Sequence, residues 1–248
     1  MRYLILTDLH ANLPALDAVL ADAAAIGYDK VIVLGDLVGY GADPAAVMDR
    51  TLALNPVAIV RGNHDKVCAG LESSEFFNDI AKHSVEWTMA QLTPGHLQAL
   101  AALPKGPRLV TDDLEICHGS PFDEDYYVFD EEEAARALEA TSGRICLFGH
   151  THIPAVFFAG APLPPDAELL AGPEGDELPL PAYGQALVNV GSVGQPRDGD
   201  PRAAYGILDL SANVMRLHRV TYNVARAQKS ILDAGLPFWL AARLERGQ

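Results

Sequence analysis

The chain has 248 residues, 49% hydrophobic and 21% charged, which suits one large domain with a sizeable core. Its formal charge of -15 excludes generic binding to nucleic-acid backbones, which needs a Lys/Arg surface; an acidic protein that handles phosphate needs a local cation source. Cys68, Cys117 and Cys146 show no CxxC spacing, the apolar run before Asp8 is too short for a signal-peptide core, and no stretch has the length of a membrane span, so a soluble, reducing, cytoplasmic setting is expected.

The first third alternates strand and helix signals. Residues 3–7 form an apolar run, after which Asn12 caps and Pro14 opens a helix to about Ile26. Residues 31–34 read as a second strand, Asp43 and Pro44 open a helix to about Leu54, and residues 57–60 read as a third strand. This order predicts right-handed crossovers and a parallel sheet. Residues 66–104 read as a helical insertion, with Phe76, Phe77, Ile80, Ala81, Val85, Trp87 and Met89 as its core face. Residues 108–111 and 114–117 flank a hairpin turn at Asp112-Asp113. A helix over 130–141 and a strand over 145–148 follow. Residues 159–181, rich in Pro, Gly and acids, are expected to form an exposed loop or hairpin tip. Strands are expected over 186–190, 203–210 and 214–220, then helix over 224–246 with a break at Gly235-Pro237. No linker divides the chain, so residues 1–248 are expected to form a single domain. Two sheets packed face to face with helices outside would bury these strands.

The polar residues fall at strand ends. Asp8 and His10 follow the first strand, Asp36 the second, and Gly62-Asn63-His64-Asp65 the third. His118 follows the run 114–117, and His150 and His152 follow 145–148. In open α/β sheets ligands bind at the carboxyl ends of strands, so these residues are expected to converge on one rim. An extended backbone at His150-x-His152 would point both imidazoles the same way. Carboxylate and amide oxygen mixed with imidazole, without thiolate, suits Mn, Fe, Co, Ni or Zn rather than Ca. Cys117 and Cys146 read as buried small hydrophobes. His83, His96 and His218 lie outside these segments, without evident partners.

Asp8-x-His10, Gly35-Asp36, Gly62-Asn63-His64-Asp65, His118 and Gly149-His150-Thr151-His152 together resemble the calcineurin-like metallophosphoesterase superfamily. The compact length and the stretch Gly191-Ser192-Val193-Gly194-Gln195-Pro196-Arg197-Asp198 look like its small bacterial and archaeal phosphodiesterase branch. The resemblance implies a four-layer α/β/β/α sandwich of two mixed sheets flanked by helices. It implies two divalent metal ions, Mn foremost, one held by Asp8, His10, His152 and Asp36 and the other by Asp36, Asn63, His118 and His150. Asp36 would bridge with one oxygen to each ion, the ions standing about 3.5–4 Å apart. A hydroxide between the ions would then attack phosphorus in line. His64 matches the family's histidine beside the metal-binding Asn, a catalytic residue that donates a hydrogen bond or a proton. Protein phosphatases of the superfamily carry an Asp three residues after the bridging Asp; here Gly39 stands there, which points away from a phosphoprotein phosphatase and toward a phosphodiesterase.

Candidate substrate contacts are Tyr40, Tyr126 and Tyr127, which could stack on a base or aryl group, and Arg197, which could contact phosphate. Arg202 and Arg61 could do either that or pin loops. The expected partner is a small phosphate ester, nucleotides and dinucleoside polyphosphates among the candidates, with neither duplex nucleic acid nor membrane. The competing class is a non-catalytic interaction scaffold on the same fold, since a fold hosts either role and the site must decide.

Overall fold

The computed structural model describes residues 1–159 and 177–248. Strands β1 (Arg2–Leu6), β2 (Lys30–Val33) and β3 (Ala58–Ile59) pair in parallel through helices α1 (Leu13–Ile26) and α2 (Pro44–Leu52). Asn12 caps α1 by accepting the Ala15 N–H at 3.2 Å. Asp43 occupies the corresponding position before α2 but makes no side-chain cap. β10 (Ala203–Asp209), β11 (Val214–Val220) and β8 (Glu177–Pro179) extend this sheet antiparallel, giving the order β3-β2-β1-β10-β11-β8. The second sheet runs β4-β5-β6-β9-β7, from β4 (Arg108–Leu109), β5 (Leu114–Ile116), β6 (Ile145–Phe148), β9 (Gln185–Asn189) and β7 (Ala155–Ala159).

Period-two alternation explains the layering. Tyr3 and Ile5 of β1 and Ile32 of β2 face Ile116, Leu147 and Val188 of the other sheet in one buried cluster. Leu4, Leu6, Val31 and Val33 point the opposite way, against Leu16, Val19 and Val47 of α1 and α2. On the far side, Cys117, Cys146, Phe148 and Leu187 pack against Ala134, Ala137 and Leu138 of α6 (Glu131–Ala140). The four layers are thus α/β/β/α, two mixed sheets between helices.

Helices α3 (Asn63–Cys68), α4 (Asp79–Gln91) and α5 (Pro94–Ala101) occupy the segment after β3. Helix α3 begins at Asn63 itself, so the ligand-bearing turn is a helix start. The aromatic face of this segment differs from expectation: Ala81 and Val85 are buried, but Phe76 is 83% exposed, because it sits in a 3₁₀ turn ahead of α4. The C-terminal helices α7 (Val224–Asp233) and α8 (Phe238–Ala242) are followed by a 3₁₀ turn, Arg243–Arg246. Ile231, Leu240 and Leu244 pack there with Tyr40, Ile80 and Trp87.

The sequence reading passed over two strands. β7 ends where the expected loop or hairpin tip, 159–181, begins, and β8 lies inside it with Leu178 buried, so residues 177–179 form strand rather than exposed loop; residues 160–176 lie outside the described residues. β7 and β8 belong to different sheets and do not pair with each other. Among the described residues, no helix is long and apolar enough to cross a membrane.

Candidate metal centre

The loops that leave β1, β2, β3, β5 and β6 are stitched to one another through the main chain. Asp8 N–H donates to Gly35 O at 3.1 Å and His10 N–H to Asp36 O at 2.9 Å. Gly149 N–H donates to His118 O at 2.8 Å, and Gly194 N–H to Asp8 O at 2.9 Å. Asp65 accepts from Leu37 N (2.9 Å), Val38 N (3.3 Å) and Gly62 N (3.0 Å), fastening the β2 loop to the β3 loop. Asp8, His10, Asp36, His150 and His152 all have positive φ, between 45° and 68°. Such backbone costs about 1–3 kcal/mol per residue and persists where surroundings over-determine it.

This stitching gathers two groups of donors. Asp8, His10, Asp36 and His152 bring one ligand atom each within 4.8 Å of one another, and so do Asp36, His118 and His150. All six are buried. Asn63 Oδ1 joins the second group, 3.3 Å from His118 Nε2. Asp36 Oδ2 lies 3.4 Å from His10 Nε2 and 3.5 Å from His118 Nε2, while its Oδ1 accepts the His64 N–H at 2.9 Å. Asp36 is thus the residue common to both groups, with Oδ2 turned toward His10 and His118. Gly62 permits this approach, since a Cβ there would lie 2.1 Å from Asp36 Oδ1.

The imidazoles show what the groups are built to hold. His10 Nδ1 bonds to Val38 O at 3.1 Å and His152 Nδ1 to Gln195 O at 2.7 Å. A carbonyl only accepts, so each Nδ1 carries the proton and each neutral ring turns a bare Nε2 inward. Those two Nε2 atoms stand 3.1 Å apart. Burial pushes the pKa of both rings well below the usual histidine value, so neither gains the proton that would join them. Two lone pairs facing at that distance repel, and a shared cation turns the contact into coordination. At His150 the nitrogens are exchanged: Nε2 bonds to Asp125 O at 3.1 Å, and bare Nδ1 lies 3.2 Å from His118 Nε2. The residues present thus fit divalent metal ions. Burial opposes a charge on His118, but the Asp36 carboxylate outweighs it and raises this ring to about 10; the same histidine holds Asp36 well below the usual carboxylate range against the penalty of burial. Burial pushes Asp8 upward, and Thr7 Oγ1 steadies its Oδ2 at 2.8 Å.

The profile of the calcineurin-like phosphoesterase superfamily domain matches residues 1–213. The chain belongs to this superfamily. It is 33% identical to protein MJ0912 of Methanocaldococcus jannaschii, over 98% of this chain and 97% of that one. It is similar to a metallophosphoesterase structure from Sphaerobacter thermophilus, with 38% identity, a TM-score of 0.86 and full coverage of both chains. The fold is also that of protein PH1004 from Pyrococcus horikoshii, at 18% identity and a TM-score of 0.79, over 100% of this chain and 98% of that one.

Around the donors of this calcineurin-like site, the other candidate residues separate. His64 is buried between Tyr40 (ring centroids 4.3 Å apart) and Phe77 (4.8 Å). Its Nδ1 has no hydrogen-bond partner, and burial lowers its pKa to about 4. Tyr40 reaches His10, with centroids 4.7 Å apart, and Arg197 lies 5.7 Å over the Tyr40 ring. Tyr126 is not brought to the site: its ring packs on Phe122 and under Arg136. Tyr127 stands there instead, stacked on His150 at 3.9 Å. Arg61 and Arg202 pin loops, through Glu124 (3.0 Å) and Asp200 (2.6 Å) respectively.

Sequence reasoning missed the carbonyls of Val38, Leu34, Gln195 and Asp125, which set the tautomers and carry no side-chain signal. Ser192 Oγ, donating to Asp8 O at 2.8 Å, lies in the Gly191–Asp198 stretch that the resemblance had marked. Of the outlying histidines, His96 pairs with Asp49 at 3.1 Å and His218 stacks on Tyr205 at 5.0 Å, so each has the partner the sequence did not reveal.

Proposed function

We propose that the protein is a dinuclear metal-dependent phosphoesterase acting chiefly on phosphodiesters. The observation that carries this is the facing pair of bare nitrogens on His10 and His152, beside a second buried group of Asp36, His118 and His150. One ion would take Asp8, His10, Asp36 and His152, the other Asp36, Asn63, His118 and His150. The oxygen and nitrogen donors without thiolate suit Mn first among Mn, Fe, Co, Ni and Zn. When bound, such ions lower the pKa of a water and offset charge building on phosphate oxygens.

The chain's own residues do the rest. Asp36 would serve both halves of the site, its carboxylate steadied by the His64 N–H on Oδ1. His64, neutral at pH 7, donates a hydrogen bond to a phosphate oxygen in the transition state. Arg197 supplies a cation beside the first donor group. Tyr127, 41% exposed, offers an aryl face for a nucleobase or aromatic leaving group. Gly39 leaves His64 without a carboxylate partner, which favours small phosphodiesters over phosphoproteins. Three free, buried cysteines fit a reducing cytoplasm.

Asp36→Asn tests the shared carboxylate. Metal content of the purified variant, measured by plasma mass spectrometry after reloading with Mn²⁺, should fall at both sites together. Retention of one ion at wild-type affinity would contradict a bridging role.

A further inference from the structure

Helix α3 begins at Asn63, and Lys66 stands three residues on, along the same helix face. Lys66 is only 6% exposed, so its ammonium has to be met by protein acceptors. Three carboxylates meet it. Nζ pairs with Asp125, with Glu72 at 2.7 Å and with Glu124 at 3.5 Å, one acceptor for each N–H. Glu72 lies just beyond α3, whereas Glu124 and Asp125 lie on the loop after β5. Lys66 therefore crosses from the helix that carries Asn63 to the loop that follows His118.

That loop reaches the donors through its main chain. Asp125 O accepts from His150 Nε2 at 3.1 Å, which leaves Nδ1 bare toward the second donor group. A ligating imidazole owes its tautomer, orientation and basicity to the partner of its other nitrogen. One residue, Asp125, thus holds Lys66 by its carboxylate and His150 by its carbonyl. Arg61 grips the same loop at Glu124, one residue earlier. Among the described residues, Lys66 is the ion-pair partner of Asp125. The Asp125 side chain is 43% exposed, and an ion pair so open to water contributes little to global stability. Its effect is local: it keeps the end of the loop against α3. Without the ammonium, the carboxylates of Glu72, Glu124 and Asp125 would repel one another. Asp125, the most exposed of the three, would turn to water and draw its carbonyl off His150.

We infer that Lys66 is a positioning residue for the second donor group: through Asp125 it ties the carbonyl behind His150 to the helix that carries Asn63. This rests on the dinuclear reading of the centre. Two readouts test it. In calorimetric titration of chelator-stripped protein with Mn²⁺, Lys66→Met should weaken one of the two ions about tenfold and leave the other as in wild type. Asp125→Ala should do the same, and it decides the matter if Lys66→Met does not fold. Lys66→Arg, which keeps the charge, should lie closer to wild type than Lys66→Met. In the metal-free protein, nitrogen NMR of labelled histidines should show His150 protonated at Nε2 in wild type, and a mixture of tautomers in Lys66→Met and Asp125→Ala. Equal weakening of both ions, no weakening of either, or an unchanged His150 tautomer in these variants would overturn the brace. A wild type that binds fewer than two ions would sink the dinuclear reading instead, while the tautomer of the metal-free protein would still judge Lys66.

Discussion

At His64 the ring lies against Gly39, whose φ is +86°, and a Cβ placed there would sit 2.3 Å from His64 Nδ1. The residue that replaces the protein-phosphatase Asp is therefore also the one that makes room for the histidine. Two outcomes follow. His64→Ala should keep its bound metal, as read by plasma mass spectrometry, and lose about 10²–10³-fold in turnover of esters with poor leaving groups. An unchanged rate would remove it from the chemistry. Gly39→Ala should lower stability by about 1–2 kcal/mol in urea unfolding and displace the ring, so turnover should fall at unaltered metal content. At this scale the sequence was legible where chemistry is carried by a side chain: Asp8, His10, Asp36, His118, His150 and His152 all reach the two donor groups. It was illegible between Tyr126 and Tyr127. Adjacent residues in an irregular loop have no periodicity to tell which ring faces the site, and Tyr127 is the one on His150.

The unit that builds the site is the strand followed by a tight, left-handed turn. Reading the strand ends was enough to predict convergence, because parallel strands place their carboxyl ends on one rim. It was not enough to predict direction. His150 and His152 have φ of 68° and 60°, so the expected extended backbone is absent, and the two rings serve different donor groups. β7 and β8 escaped the sequence reading for different reasons. β7, Ala155-Val156-Phe157-Phe158-Ala159, does carry an apolar strand run that the reading passed over, whereas β8 is three residues long with Pro179 at its end and has little local signal.

The loop after β5 is fastened to the loop after β3 by Arg61 and Glu124, Nε to Oε2 and Nη2 to Oε1, both at 3.0 Å. Burial opposes the Glu124 charge, but the Arg61 hydrogen bond and the Lys66 charge outweigh it and hold the carboxyl below its ordinary 4.5. A depressed carboxylate stabilises the fold above its unfolded pKa and loses that stabilisation as pH falls through the folded pKa. Wild type should therefore exceed Glu124→Gln in urea unfolding midpoint above pH 4.5, with the gap closing below it. A gap that is constant with pH would show the pair contributes packing alone.

Across the whole molecule, the two sheets share one apolar seam, and the donor groups sit where the loops of both sheets meet. β1, β2 and β3 supply Asp8, His10, Asp36 and Asn63; β5 and β6 supply His118, His150 and His152. Neither sheet alone completes the constellation, so assembling the sandwich assembles the site. Two packed sheets with helices outside were legible from the order of strand and helix signals, and the family resemblance implied the four-layer form. The place of the C-terminal turn was not, since Leu240 and Leu244 meet Tyr40 only through tertiary packing. A net charge of -15 makes the same point electrostatically: attraction for a phosphate ester must come from the metal centre and the few cations beside it. The central claim is best tested by stripping the protein with chelator and titrating it with Mn²⁺ while following hydrolysis of bis(4-nitrophenyl) phosphate. The dinuclear account predicts no turnover without metal and a rate that rises to a plateau at about two ions per chain. A plateau at one ion, or no turnover with any first-row divalent metal, would contradict it.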